Sequence, residues 1–414
     1  MFGIRHIIGV KAIRMKIMHV SQWYNNGFGY HENLLPKYQA KMGHDVILVT
    51  SDREFYFKEL LDKRKLKEQR TYLDGPVRII RIPIKGEFRG RFVIFANLKD
   101  ILEIEKPDYI FHHGLTHPSL LTVLKYKKRH PSVFVAADNH ADLNISGRRY
   151  LWKIGYYNFA WKKALARNLK YLDIVFGVTP ARCYFAYEEL GIPWSLIRLL
   201  PQGADEDLAE AIMPDSFIEN NSKEKLVVIT GGKINKNKNI ISLFDATAGL
   251  DLELRVFGAL SAEMKAEIAD NPPYNVIFHG WQNRVQTFKL LAQADIAIWN
   301  KLHTNLIEDA IATLTPLILR YHGSTCYQIR NNGFYLYSDT PNEMRQHLEF
   351  IIRHKEILFE MRQEARKIRD FLSYNRIAQE SIDYYYDKAP KITHEIIMND
   401  PMCLPKNKEF RKLK

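Results

Sequence analysis

The chain is short of cysteine. Three occur in 414 residues, Cys183, Cys326 and Cys403, far apart and with no C-x-x-C pair. That spacing speaks against a disulfide framework or a structural zinc and fits a reducing cytoplasm. Long apolar runs are missing too. Nothing approaches the roughly eighteen consecutive apolar residues of a spanning helix. "MFGIRHIIGVKAIR" lacks a true apolar h-region and a small-residue cleavage site, so Met15 reads as the natural start and residues 1–14 as an extension. RNP motifs, zinc fingers and helix-turn-helix patterns are absent, so nucleic acid is not an expected partner. H-E-x-x-H is absent as well, and no metal site is expected.

What is present reads as a globular chain, 46% apolar and 26% charged. Its net charge of +13 points to an acidic partner, either an anionic membrane or a phosphorylated small molecule. Much of the excess lies in "FKELLDKRKLKEQR", "GRRYLWKIGYYNFAWKKALARNLK" and "PKNKEFRKLK". Each reads first as a solvated helix face or tail. The aromatic second stretch, Arg148–Lys170, can also dock on anionic lipid at the inner face of the cytoplasmic membrane.

Apolar runs set the architecture. "KIMHV", "DVILVT", "RIIRIP", "DYIFHHG", "VFVAAD" and "DIVFGVT" alternate with helical stretches, the rhythm of a buried parallel sheet. The rhythm stops near Asp205 and restarts with "KLVVITGG", "LELRVFG", "NVIFHGW", "DIAIWN", "TPLILRY" and "FYLYS". The expected division is a first domain over 15–205, a linker over 206–224 and a second domain over 225–370. A closing helix over 371–390 and a basic tail over 391–414 follow. Both domains are α/β and doubly wound, with ligands at the carboxyl ends of the strands in a cleft between them.

Four clusters can carry chemistry. In "NNGFGYHE", Gly27 and Gly29 allow a tight turn and close approach to a ligand, and a helix starts near Tyr30–Glu32 and ends at Gly43. Pro36 is expected close to that helix's first turn. The stretch has no G-x-G-x-x-G and no G-K-[ST], so a bare turn and a ligand loop both stay open. In "ITGGKINKNKN", a strand ends at Gly231–Gly232, and Lys233, Lys236 and Lys238 can neutralise a diphosphate. Glu308 and Asp309 stand at a helix start, where a carboxylate either caps the helix or accepts ribose hydroxyls. His112, His113 and His117, with Asp138, His140 and Asp142, sit at two strand ends. A polar substrate wall is favoured there over a metal site.

In order along the chain, from Met15 to about Tyr386, these pieces resemble the retaining glycosyltransferases of family 4, which have the GT-B fold. "YLDIVFGVTPARCYFAYEELGIPWSLIRLLPQGAD" is similar to the segment ending P-N-G-V-D, with Gln202 and Ala204 replacing Asn and Val. "GGKINKNK" resembles G-R-L-x-x-x-K, with Gly232 for the Gly, Lys233 for the Arg and Lys238 for the Lys. The E-x7-E motif is altered. Asp309 takes the second acid's place, Lys301 the first, and Leu314 a usual glycine. The resemblance implies retaining, metal-independent transfer of a sugar from a nucleotide diphosphate sugar to an acceptor hydroxyl, with no cofactor beyond that co-substrate. A bacterial capsule or lipopolysaccharide pathway and a glycan or lipid-linked glycan acceptor are the expectation. Lys233 and Lys238 would hold the diphosphate. Gly29 and Gly232 would approach it, Asp309 with Glu308 would hold the ribose, and His140 would contact the donor sugar. Tyr30, Glu32 and His113 would bind the acceptor. "DED", 205–207, matches the D-x-D of metal-dependent transferases but reads as structural. The loss of the first acid keeps a second expectation open, a non-catalytic GT-B protein that binds a nucleotide sugar or glycan, or scaffolds a partner enzyme. A metal-dependent hydrolase using the histidines is the third.

Overall fold

The computed structural model describes residues 14–54, 70–88, 92–147, 149–213, 225–270, 273 and 275–386. The expected extension up to residue 13, the linker residues 214–224 and the basic tail lie outside them. In the first domain the strands are β1 (Lys16–Val20), β2 (Asp45–Ser51), β3 (Thr71–Asp74), β4 (Val77–Ile82), β5 (Ile84–Phe88), β6 (Phe92–Phe95), β7 (Tyr109–His112), β8 (Phe134–Asn139), β9 (Ile174–Gly177) and β10 (Ile197–Leu199). The second domain holds β11 (Leu226–Gly231), β12 (Leu252–Phe257), β13 (Val276–Gly280), β14 (Ile296–Trp299), β15 (Leu317–Arg320) and β16 (Gly333–Leu336).

Eight strands form the first sheet, in the order β10-β9-β8-β7-β1-β2-β4-β3. Its pairs are parallel except β3–β4. The second sheet runs β13-β12-β11-β14-β15-β16 and is parallel throughout. Parallel strands covered on both faces need apolar residues at every position, which is why they read as unbroken runs. β3, β5, β6 and β10 escape that signal. β3 and β5 alternate exposed with half-buried residues, and β5–β6 is a separate hairpin.

Helix starts follow local chemistry. Thr179 caps the helix Pro180–Glu188 by accepting from the Arg182 amide. Asn283 and Gln286 form a reciprocal capping box at the helix Arg284–Ala292. The helix after β1 spans His31–Lys41 and stops at Gly43, whose φ of 95° suits glycine. Pro36 is the one departure there. It sits in the second turn rather than the first, and its missing N–H leaves the Glu32 carbonyl without the usual helical donor.

The carboxyl-terminal stretch is helical as expected, in three pieces, Pro341–Arg353, Ile357–Phe371 and Tyr374–Asp383. The last piece returns to the first domain. Tyr374 stacks on Tyr38 at 5.4 Å, and Gln39 donates to Ser381 Oγ at 2.8 Å. Ile377, Ala378 and Ile382 bury themselves there, each larger side chain contributing about 1.5–3 kcal/mol.

Candidate functional site

Two cavities open where the strands' carboxyl ends face each other across the cleft. The first, about 600 Å³, is lined by first-domain residues including Glu32, His113, His117 and His140. The second, about 470 Å³, is lined by Gly29, Gly232, Lys233, Lys238, Arg284 and Asp309, among others. Tyr30 and Asn305 belong to both walls. Of the expected donor residues, Gly29, Gly232, Lys233, Lys238 and Asp309 line the second chamber, His140 lines the first with Tyr30, Glu32 and His113, and Glu308 lines neither.

The first chamber is a hydrogen-bonded histidine network. Ser381 donates its hydroxyl to the Ala378 carbonyl, so it accepts from Gln39 Nε2. Gln39 Oε1 then accepts from His19 Nε2 at 2.6 Å, leaving His19 Nδ1 to face His113 Nε2 at 3.0 Å. His113 Nδ1 donates to Asp138 Oδ2 at 3.1 Å. Which ring donates between His19 and His113 depends on their tautomers. Burial, with His113 beside it, lowers His19 well below its usual value.

Asp138 joins the network as a shared acceptor. Its Oδ2 also accepts from His140 Nε2 at 3.0 Å, and its Oδ1 from the Gly114 amide at 2.7 Å. Burial alone would raise this carboxyl, but His140 and His113 beside it hold it well below the usual range. With Nε2–H committed to Asp138, His140 presents Nδ1 as its remaining ring nitrogen, on a side chain 37% exposed. Around them burial pushes His31 and His112 down to about 3 and His117 to about 4, so these rings are neutral at physiological pH. Burial raises Glu32, against the pull of His113 and His140.

The ligand atoms of His113, Asp138 and His140 lie within 4.8 Å of one another, a constellation able to hold a metal ion. The two ring nitrogens converge on one carboxylate oxygen as donors, so hydrogen bonding already accounts for the arrangement.

The second chamber is cationic. Lys233 and Lys238 follow β11, and burial pushes Lys238 down to about 8. Asp309 lines this cavity; burial pushes it up to about 6, opposed by Arg284. Arg284 Nη1 donates to Asp309 Oδ2 at 3.3 Å, and its Nη2 lies 3.1 Å from both Asp309 Oδ1 and Asp205 Oδ2. The expected role of Glu308 needs correction. Successive helix residues point about 100° apart, and Glu308 turns into the protein, 1% exposed. There its Oε1 accepts from His303 Nε2 at 2.9 Å and Gln328 Nε2 at 2.6 Å. Lys301 is also off this cavity, paired with Asp339 at 3.1 Å. Leu314 takes φ 56°, so it makes the left-handed turn its glycine counterpart would make, at a cost of about 1 kcal/mol.

"DED" serves the framework. Asp205 accepts from Tyr38 Oη at 2.8 Å and caps the helix Glu206–Ile212, Glu206 receives the Tyr374 amide, and Asp207 pairs with Lys41 at 2.7 Å.

Arg284, His19 and His31 were not among the residues expected from the sequence. The N-x-x-Q capping pattern at Asn283–Gln286, just past a strand, is the signal that marks Arg284. A histidine inside the apolar run "KIMHV" is the one that marks His19.

No protein-family model and no curated protein matches the chain. Solved structures do. A glycosyltransferase from Rickettsia africae superposes with TM-score 0.64 at 15% identity over 92% of this chain and 100% of its own. Anabaena HepE in complex with UDP and glucose gives 0.65 at 15% identity, over 90% and 100%. A putative UDP-N-acetylglucosamine 2-epimerase from Listeria monocytogenes gives 0.57 at 14%, over 91% and 98%. The fold is GT-B, two Rossmann-like domains facing a cleft. Transfer and epimerisation both appear among these neighbours, so the chemistry has to be argued from the site.

Proposed function

We propose that the protein is a glycosyltransferase that moves a sugar from a nucleotide diphosphate sugar to an acceptor hydroxyl. One observation carries the reading: a lysine-lined cavity at the carboxyl ends of the second sheet adjoins a hydrogen-bonding cavity on the first domain, with Tyr30 and Asn305 as common wall. The donor's diphosphate lies at Lys233 and Lys238, which stabilise the charge that grows as the leaving group departs. Asp309 receives the ribose. Gly29 and Gly232 leave room for the phosphates, and the sugar projects past Tyr30 toward His140. Acceptor binding falls to Tyr30, Glu32 and His113.

The resemblance to family 4 supports retention without a metal. The acceptor oxygen bonds to the anomeric carbon as the bond to phosphate breaks, and the hydroxyl proton passes to the departing phosphate oxygen on the same face. Bacterial surface-polysaccharide synthesis in the cytoplasm is the setting we favour. Among the described residues no helix is long and apolar enough to cross a membrane. Peripheral docking is supported by the helical stretch Tyr150–Asn168, which exposes Tyr150, Leu151 and Phe159 beside Lys162, Lys163 and Arg167.

A thermal-shift screen across nucleotide diphosphate sugars tests the reading, since a ligand of the native state raises the melting temperature by mass action. One selective donor, followed by diphosphate release with an acceptor and a product of retained anomeric configuration, is the expected outcome. Tight binding without turnover over several acceptors would favour the non-catalytic alternative, which the displaced Lys301 motivates. Bound metal together with chelator-sensitive hydrolysis would favour the hydrolase reading of the histidine cluster.

A further inference from the structure

We infer that Arg284 is a third cation of the diphosphate site and ties that site to the first domain. The inference rests on the donor reading above. Arg284 stands in the first turn of the helix Arg284–Ala292, after β13, and lines the same cavity as Lys233 and Lys238. Its guanidinium is held on both sides. Asp309 of the second domain and Asp205 at the end of the first each take Nη2 at 3.1 Å, and the Phe288 ring lies 4.8 Å from the guanidinium carbon. Its Nε–H is buried and has no hydrogen-bond partner among the described residues. A buried donor without an acceptor is costly, and a phosphate oxygen in this cavity is the acceptor it lacks.

The glycine loop gives an independent sign. A Cβ on Gly29 would lie 1.5 Å from Arg284 Nη1 and 2.2 Å from its guanidinium carbon. A side chain at residue 29 would therefore displace the guanidinium from its present place. The loop reaches the donor through an arginine, not only through its own amides. Formal charge is consistent with an anionic ligand: Lys233, Lys238 and Arg284 against Asp205 and Asp309 leave +1. Because Arg284 grips Asp205, a diphosphate bound to it would also hold the first domain against the second, which excludes water from the reacting centre.

Calorimetry tests this with UDP, GDP, ADP and TDP, each beside its nucleoside, on wild type, Arg284→Gln, Arg284→Lys and Gly29→Ala. Arg284→Gln should weaken the preferred diphosphate about 10- to 100-fold and leave the nucleoside within about twofold. Arg284→Lys should recover part of the loss. Gly29→Ala, which keeps the arginine but displaces it, should lose diphosphate affinity in the same direction. Equal diphosphate binding by wild type and the variants would overturn the assignment, as would a parallel loss of nucleoside and diphosphate. If the wild type bound none of the four diphosphates, the donor reading itself would fall, and this inference with it. Melting temperatures identify a variant that fails to fold, in which case Arg284→Lys and Gly29→Ala decide.

Discussion

The two chambers share Tyr30 and Asn305 and differ in how they handle charge. In the first, ionisable groups are bound to one another: His19, His113, His140 and Asp138 satisfy each other in one network. In the second, cations line the cavity: Lys233, Lys238 and Arg284 share one wall, and Arg284, though paired with Asp205 and Asp309, keeps an Nε–H without a hydrogen-bond partner among the described residues. A histidine network fixes ring orientation, and with His31 Nε2 and His117 Nδ1 left without partners among the described residues it suits a hydroxyl-rich ligand, which needs directed hydrogen bonds. A cluster of cations along a cavity wall suits a polyanion. The contrast supports the proposed division, with the donor on the second domain and the acceptor on the first.

The strongest way to break the contrast is to remove the lysines that line the second chamber. Lys238→Ala should lower turnover of the preferred donor by about 10²- to 10³-fold, and Lys233→Ala similarly, because each stabilises charge that develops in the transition state. Nucleotide diphosphate release measures this. Unchanged release in both would show that the phosphates lie elsewhere.

The histidine network should instead fail through stability. Asp138→Asn removes the buried carboxylate that accepts from His113, His140 and the Gly114 amide, and should destabilise the fold by about 3 kcal/mol, read by urea unfolding. The sign with pH follows. Asp138 is held below its unfolded value, so its stabilisation is present above about pH 4 and is lost as pH falls further. A variant as stable as the wild type would mean the network does not depend on that carboxylate.

Next comes pH dependence in the second chamber. Asp309 is raised to about 6, so below that pH it is protonated and should lose its hold on ribose. Its own contribution to stability has the opposite sense. A raised carboxyl favours the fold at low pH and loses that benefit as pH climbs from about 4 to 6. Lys238, lowered to about 8, turns neutral above that value and should release the diphosphate. Donor affinity should therefore peak between about pH 6 and 8, falling up to about tenfold per unit outside. Asp309→Asn should flatten the acid limb and Lys238→Arg the alkaline one.

The smallest effects belong to residues outside both chambers. Glu308→Gln should change donor affinity less than about twofold, because the side chain faces His303 and Gln328. Lys162→Glu with Lys163→Glu should weaken binding to anionic liposomes without altering donor affinity, each basic residue near the surface contributing about 1 kcal/mol. Liposome binding that persists unaltered would remove the docking idea.

Much of this was legible because parallel strands advertise themselves. Apolar-rich runs placed β1, β2, β4, β7, β8 and β9 and the strands of the second sheet, although β12 alternates and β13 is largely exposed, and glycine and lysine follow β11 as read. Short or half-exposed strands such as β3 and β5 carry no such signal. At the site, adjacent acids look equivalent in a sequence. Helical phase separates Asp309 from Glu308, and two neighbouring letters do not reveal which of them faces the cleft.

The sequence by itself determined the two-domain α/β order, the lysine cluster at the second sheet and the turn at Gly43, since each depends on residues close in the chain. Only the tertiary structure decided that Arg284 joins Asp205, 79 residues away, to Asp309. The same holds for His19, which meets His113 across 94 residues. It also decided that the Arg284 guanidinium lies against Gly29. Charge pairing and close packing act through space, and local pattern carries no record of which distant side chain will occupy a given gap.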